Sequence, residues 1–382
     1  MVIRSIAVSQ MRNHERTLLA CAQHVNVLTG PNGSGKTTLL EAISMGAIAR
    51  SFVQVNDTSL VQFGTDGFSV VIQAERDLHA PYEVSVRVKE GARKRIEGSQ
   101  GTSLTPRDII GSLPVVALSP DHKSITFGAP SERRAFLDSV MAQSSTRFTD
   151  LLYDLRRILK QRNALLAGGN APELGATDLH VWTSAFVECS AEIVHRRALF
   201  ITELAPRVQR TYAAVSGGAE QIDIVYQPDS LPSTLDLSSA SVRDIAEALH
   251  VVAQSLVQRE LARGGTLFGA QRDEIVLMLN GGLARETASQ GQHKSLLVAL
   301  KLAECEILLE KTSERPVVLL DDVFSELDRT RCAHVMQLVL EMGMQCFVTT
   351  TDGEAIAMLV PRGTDMKLVT LSNGRVVTME AA

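Results

Sequence analysis

Residues Gly30 to Thr37, GPNGSGKT, place two glycines around four residues and follow them with a lysine and a hydroxyl. That spacing suits phosphate chemistry. Glycines let the backbone curl with its N–H groups pointing inward, so Gly30, Pro31, Asn32, Gly33, Ser34 and Gly35 form a cradle. Lys36 reaches β- and γ-phosphates, and Thr37 offers its hydroxyl to Mg²⁺. Thr38 completes the candidate ATP-binding set. The flanks agree with this reading. The apolar run His24–Leu28 enters the loop as a strand, and 36–49 leaves it as a helix.

A second group of chemical residues lies at 317–328, VVLLDDVFSELD. An apolar strand followed by carboxylates is the Walker B arrangement, in which Asp321 holds Mg²⁺ through water and Asp322 polarises the attacking water. Two acids after a strand also occur as a helix cap or a solvated turn. The phosphate loop upstream makes the metal role the expectation. Lys36 and Asp321 lie 285 positions apart, so an entire lobe is inserted between the two motifs.

The third is Ser289-Gln290-Gly291-Gln292, ahead of an apolar run over 292–311 that reads as a long helix. Helix N-termini attract anions. Alone, the tetrapeptide reads as a capping turn. Followed by a Walker B strand, it matches the signature of ABC-type ATPases. In those proteins two heads sandwich two nucleotides, each held on one head's phosphate loop and under the other's signature. Ser289, acting in trans, Gly291 and Gln292 are therefore expected to bind the γ-phosphate of a partner subunit's ATP, which implies an ATP-dependent homodimer. Ser325-Glu326-Leu327-Asp328 is the expected D-loop, or else a helix N-cap. Thr349-Thr350 occupies the switch position, where transporters usually carry His. Asp322 is one methylene shorter than the Glu usual there, which predicts slow hydrolysis acting as a switch rather than as metabolic catalysis.

The elements that must position these residues can be read from periodicity. FSVVIQAE and YEVSVRVKE, within 67–97, alternate like antiparallel strands, and Pro114–Leu118 is a further strand. From 131 to 262 the pattern is helical. Leu151, Leu155, Ile158, Leu159, Leu165 and Leu166 make one apolar stripe, and 178–212 and 241–262 read similarly. Gly168 to Pro172 is a turn, and 226–240 is a loop. Residues 275–287 suggest a hairpin around Asn280-Gly281-Gly282. Val317–Leu320 and Cys346–Thr349 are buried strands, and Asn373-Gly374 turns a last hairpin. No heptad pattern is sustained, so a long coiled coil is excluded. The expected fold is an α/β ABC-type P-loop ATPase head built from both chain ends, with an inserted helical lobe. Residues 1–130 carry Walker A, 131–262 form the lobe, and 263–382 carry the signature, Walker B and D-loop.

Composition narrows the class. The chain has 382 residues, 45% hydrophobic and 21% charged, with net charge −5. This balance does not advertise nucleic-acid binding, so any DNA contact must be local or assembled by oligomerisation. Arg93-Lys94-Arg95, Arg133-Arg134, and Arg156-Arg157 with Lys160 and Arg162 are clusters that could meet phosphates or simply be solvated faces. Aromatics are 4%, too few for a single-strand stacking platform, and Trp182 reads as core or interface. Five scattered cysteines predict buried reduced thiols, with neither zinc nor a disulfide framework. No apolar run approaches the ~20 residues of a membrane span, and the N-terminus lacks a signal-peptide core, so a cytoplasmic protein without membrane partners is expected. A transporter subunit or a small-molecule P-loop kinase is the competing class. The large insertion, the absent switch His and the partner signature speak against both.

Together these motifs resemble the RecF family of bacterial recombination-mediator ATPases, of the ABC/SMC-like class, along nearly the whole chain. Met11–Leu19 (MRNHERTLL) is similar to the family's Arg-Asn-Tyr segment, and Arg50-Ser51-Phe52 to a stretch after the first helix. Leu118–Asp138, with Ser-Pro, Gly-x-Pro and Arg133-Arg134-x-Phe-Leu-Asp, is the most family-specific piece. The sequence departs at Thr38, where Asn is usual, and at Ala288, where the signature usually has Leu. It also departs at Gly269-Ala270-Gln271-Arg272-Asp273-Glu274, where Gly-Pro-His-Arg-Asp-Asp is usual. The resemblance implies an ATP-dependent DNA-binding protein of recombinational repair and replication restart, linked to the SOS response. It would act on duplex DNA, junctions or gaps, working with RecO and RecR to place RecA on SSB-coated DNA.

Overall fold

The computed structural model of the chain describes all residues except 54, 78, 169–175, 219, 326–328 and 382. The chain folds as two compact units. The first comprises Met1–Lys123, Ala214–Gly218 and Lys294–Ala382, and the second Ser124–Ala213 and Ala219–His293. Residues 263–293, expected in the ATPase head, pack in the second unit.

In chain order the first unit begins with β1 (Val2–Met11), β2 (His14–Ala20), β3 (Val25–Thr29) and α1 (Lys36–Ile48). It continues with β4 (Gly67–Glu75), β5 (Pro81–Lys89), β6 (Arg95–Gly98), β7 (Ser103–Leu104), α2 (Pro106–Ile109) and β8 (Val115–Leu118). The second unit holds α3 (Ser124–Phe127), α4 (Pro130–Ser144), α5 (Thr146–Ala167), α6 (Ala176–Ser216, up to Ala213), β9 (Ile222–Gln227), α7 (Val242–Arg263), β10 (Glu274–Leu279), β11 (Gly282–Leu283) and α8 (Ala284–Thr287). Helix α9 (Gln290–Thr312) leads back into β12 (Val317–Asp321), α10 (Arg329–Glu341), β13 (Cys346–Thr350), α11 (Gly353–Ala357), β14 (Met366–Ser372) and β15 (Arg375–Ala381).

The first unit is built on two six-stranded sheets. One has the order β15-β14-β3-β13-β12-β8. Its inner strands are parallel, and β15 is added antiparallel to β14. Strands covered on both faces must be apolar throughout, and VVAL, VVLLD and CFVTT are buried at every position. The other sheet, β2-β1-β4-β5-β6-β7, is antiparallel and alternates. Ile3, Ile6, Val70, Ile72, Val84 and Val86 point inward. Helix α1 is buried on all sides because it lies in the core that both sheets share, with Leu39, Leu40, Ile43 and Met45 fully buried among residues of each. Each such side chain stabilises the fold by about 1.5–3 kcal/mol. Sheet and helix approach so closely that a Cβ at Gly46 would lie 2.3 Å from Ile72 Cδ1.

In the second unit the α5 stripe buries Leu151, Leu155, Ile158 and Leu166, but the position between the last two is Arg162. Leu159 and Leu165 are only half-buried. The lobe is not purely helical. Ile222, Ile224 and Tyr226 alternate inward along β9, which pairs with β10 in a three-stranded sheet β11-β10-β9. The expected 226–240 loop therefore starts after Gln227. The expected hairpin keeps only a two-residue return strand before α8 takes over. Most of the turn expected over 168–172 lies outside the described residues. Four cysteines are buried and Cys21 is half-buried, all five as free thiols.

Candidate nucleotide site and signature

The parallel sheet brings distant residues together. β13 lies between β3 and β12, with Thr349 opposite both Leu28 and Asp321. The phosphate loop leaves the carboxyl end of β3, and both acids leave that of β12. In open α/β sheets that edge, at a change of strand order, is where ligands bind. Thr37 and Asp321, 284 positions apart, are hydrogen-bonded, with Thr37 Oγ1 donating to Asp321 Oδ1 at 2.8 Å. Thr349 Oγ1 donates to the same oxygen at 2.8 Å and accepts the Asp322 N–H at 2.9 Å. The switch threonine thus fixes the Walker B carboxylate. Sequence reasoning used it only as the absence of a histidine.

Lys36 Nζ donates to the carbonyls of Gly30 and Pro31 at 2.7 and 3.0 Å, folding back over its own loop. Burial lowers its pKa, while the Asp322 and Asp321 carboxylates oppose that. Burial raises the Asp321 carboxyl, and the Thr349 and Thr37 hydroxyls pull it back. A cation at this point would reverse the burial effect. Asp322 adopts the left-handed region, φ 50°. Such strain in a non-glycine residue is typical of functional positions.

Two other segments hold the loop. Asn13 Nδ2 donates to Gly33 O at 2.8 Å, and the His14 ring contacts Gly35 O at 3.0 Å and Thr17 Oγ1 at 2.8 Å. Burial lowers the His14 pKa, against its bonds to backbone at Gly35 and Gly374. Thr17 Oγ1 donates to Gly374 O, and the Gly374 N–H donates to Ser34 O, both at 2.9 Å. Gly35 must be glycine twice over. Its φ is 104°, and a Cβ would lie 2.3 Å from His14 Nε2. Gly374, with φ 72°, would put a Cβ 2.0 Å from Asn13 O. The sequence marked Met11–Leu19 only by resemblance and Gly374 only as a hairpin turn, because the contacts are tertiary: Asn13 and Gly33 are 20 positions apart, Thr17 and Gly374 357. Behind the loop, Arg12 pairs with Glu41 at 2.8 Å, and Ser51 donates to the same carboxylate at 2.8 Å. The Met11–Leu19, α1 and Arg50–Phe52 stretches meet there.

The loop fits a nucleotide. Ser34 Oγ is buried within it without a hydrogen-bond partner, and Thr37 and Asp321 converge as two hard oxygen donors. Among the described residues no group of three or more His, Cys, Asp or Glu could hold a metal. Mg²⁺ takes one or two protein oxygens plus phosphate oxygens, and Thr37 with Asp321 would supply the protein's share.

In the second unit Ser289 caps α9 reciprocally. Its N–H donates to Gln292 Oε1 at 2.6 Å, and its Oγ accepts the Gln292 N–H at 3.3 Å. Ser289 is exposed, and Gly291 and Gln292 are half-buried. Of the D-loop, residues 326–328 lie outside the described residues. The basic clusters resolve differently from one another. Arg133 forms two bonds to Glu274, and Arg134 donates to Asp273 O at 2.6 Å. Arg162 is buried against Glu260. These three are structural. Arg156, Arg157 and Lys160 are exposed, and Lys94 pairs with Asp57 at 2.6 Å.

The fold and this site define an ATPase head of the ABC/SMC class. The family model for the RecF/RecN/SMC N-terminal domain matches residues 2–366. The Smc head bound to the C-winged helix domain of ScpA shares the fold, with TM-score 0.56 at 14% identity, over 100% of this chain and 98% of that one. DNA replication and repair protein RecF of Chloroherpeton thalassium is 32% identical over 94% of this chain and 96% of its own length. A solved structure of the recombination mediator protein RecF-ATPrS in the RecFOR pathway superposes with TM-score 0.88 at 27% identity, covering 98% of this chain and 97% of that one. The chain belongs to the RecF family.

Proposed function

We propose that the chain is an ATP-dependent DNA-binding protein of recombinational repair and replication restart, working as a nucleotide-bridged dimer clamp. The convergence of Thr37, Asp321 and Thr349 beside the phosphate loop carries the reading, and similarity to RecF proteins over nearly the full length supports it. Residues 30–38 would hold ATP. Lys36 would exchange its two loop carbonyls for phosphate oxygens, and Thr37 with Asp321 would hold Mg²⁺. The bound metal would neutralise charge on the phosphates. Asp322 orients water, and its short side chain keeps turnover slow. Ser289, Gly291 and Gln292 act on the partner subunit's ATP, so two chains close only when both sites are loaded. RecO, RecR and RecA are the proposed partners, and gapped or junction DNA the substrate. As domains, we assign 1–123 and 294–382 to the ATPase head, and 124–213 with 220–293 to the lobe.

The test is made on the whole chain. Fluorescence anisotropy on gapped duplex DNA is expected to show tighter binding with Mg-ATP than without nucleotide. Equal affinity in both conditions would contradict the ATP-gated reading. Among the described residues no helix is long and apolar enough to cross a membrane.

A further inference from the structure

The signature glutamine is held by a residue that no motif includes. Gln292 Nε2 donates to Glu220 Oε1 at 2.5 Å. The Tyr212 hydroxyl on α6 donates to the other oxygen of the same carboxylate. All three residues belong to the second unit.

A side-chain amide can present its oxygen or its nitrogen, and what it meets decides which. A carboxylate accepts on both oxygens. Glu220 therefore draws the Gln292 NH₂ toward itself and leaves Oε1 facing the Ser289 N–H, where it accepts at 2.6 Å. The flipped amide would set donor against donor at Ser289. With the cap closed, Ser289 Oγ is pinned by the Gln292 N–H at 3.3 Å. Its lone pair is engaged on the helix side, which leaves the hydroxyl proton for an outward acceptor. An exposed serine fixed in this way binds an incoming phosphate oxygen without first losing rotamer freedom.

We propose that Glu220, oriented by Tyr212, is a positioning residue of the signature: it selects the Gln292 amide orientation that presents Ser289 to the partner subunit's nucleotide. This rests on the trans-signature reading above. The contact recurs at both sites of a symmetric dimer, so its loss enters the dimer equilibrium twice.

The test measures the dimer dissociation constant of the full chain in saturating Mg-ATP, by sedimentation equilibrium. Glu220→Ala, Glu220→Gln and Ser289→Arg are compared with the parent, and ATP affinity is read at dilutions where the chain is monomeric. Glu220→Ala is expected to weaken the dimer about tenfold or more, from a capping loss of several-fold at each site, with monomer ATP affinity unchanged. Glu220→Gln retains an acceptor for Gln292 and is expected to dimerise like the parent. A role of the Glu220 charge alone would not give this rescue, and a general loss of fold would lower monomer ATP affinity as well. Equal weakening by Glu220→Ala and Glu220→Gln would overturn the proposal. So would a parent-like Glu220→Ala beside a monomeric Ser289→Arg, which would leave the trans signature standing. A parent-like Ser289→Arg would instead remove the trans reading, and this proposal with it.

Discussion

Lys36 and Arg162 are both partly or wholly withdrawn from water, yet their partners differ in kind. Lys36 rests on two neutral carbonyls of its own loop. Arg162 is enclosed. Its guanidinium meets Glu260 at 2.6 and 3.1 Å, and also bonds Thr266 and Thr183. The rings of Phe186 and Phe268 lie 5.6 and 5.1 Å away. The first cation can exchange weak neutral acceptors for a charged ligand at little cost. The second has its charge and its donors satisfied within the fold and has nothing left to offer. The site and the scaffold are told apart by what holds each charge, not by where the charges cluster in the sequence.

The largest expected effect is therefore on stability, in the second unit. Arg162→Met strands the fully buried Glu260 and should cost about 3–5 kcal/mol, read as a lower melting temperature. The pair of replacements Arg162→Met and Glu260→Leu should recover most of it. Little change in the single variant would mean that Arg162 is not the scaffold it resembles. Lys36→Met should do the reverse. ATP affinity should fall by about 2–3 kcal/mol, roughly 100-fold, with the melting temperature of the nucleotide-free chain nearly unchanged. A comparable loss of stability would erase the contrast between the two cations. Gly374→Ala sharpens it further. A methyl group 2.0 Å from Asn13 O must displace the turn that bonds Ser34 O. About 1–2 kcal/mol of strain is expected, appearing as weaker ATP binding, since the segment that moves is the one holding the loop. A drop in stability alone would place Gly374 outside the site.

How much was legible follows the same division. The phosphate loop and α1 are contiguous, so the motif's spacing and the helix-like run after it disclosed them. Asp321 was legible because a doubly covered parallel strand must be apolar to its end, and the carboxylate marks that end. Thr349, Asn13, His14 and Gly374 were not. Each acts through a tertiary approach, and nothing local distinguishes a threonine that bonds the Asp321 carboxylate from one that ends a strand. The arginines were ambiguous for the converse reason. In the sequence Arg133 and Arg162 look like Arg156 and Arg157, and only burial against Glu274 and Glu260 separates them. Strand β9 did carry a signal, the alternation of Ile222, Ile224 and Tyr226, but it was lost inside a segment dominated by helical period. Residues 269–274 form a hub of the second unit. There Asp273 accepts from Tyr226 and Arg197, and Glu274 holds Arg133.

The central claim is that ATP joins two chains through the signature. Solution mass by light scattering, with and without Mg-ATP, tests it most directly, with Ser289→Arg as the companion variant. The account predicts a monomer that doubles with ATP, and a variant that binds ATP yet stays monomeric. A mass unchanged by saturating ATP, or a variant that doubles like the parent, would mean that Ser289 serves only to cap its own helix and would contradict the clamp.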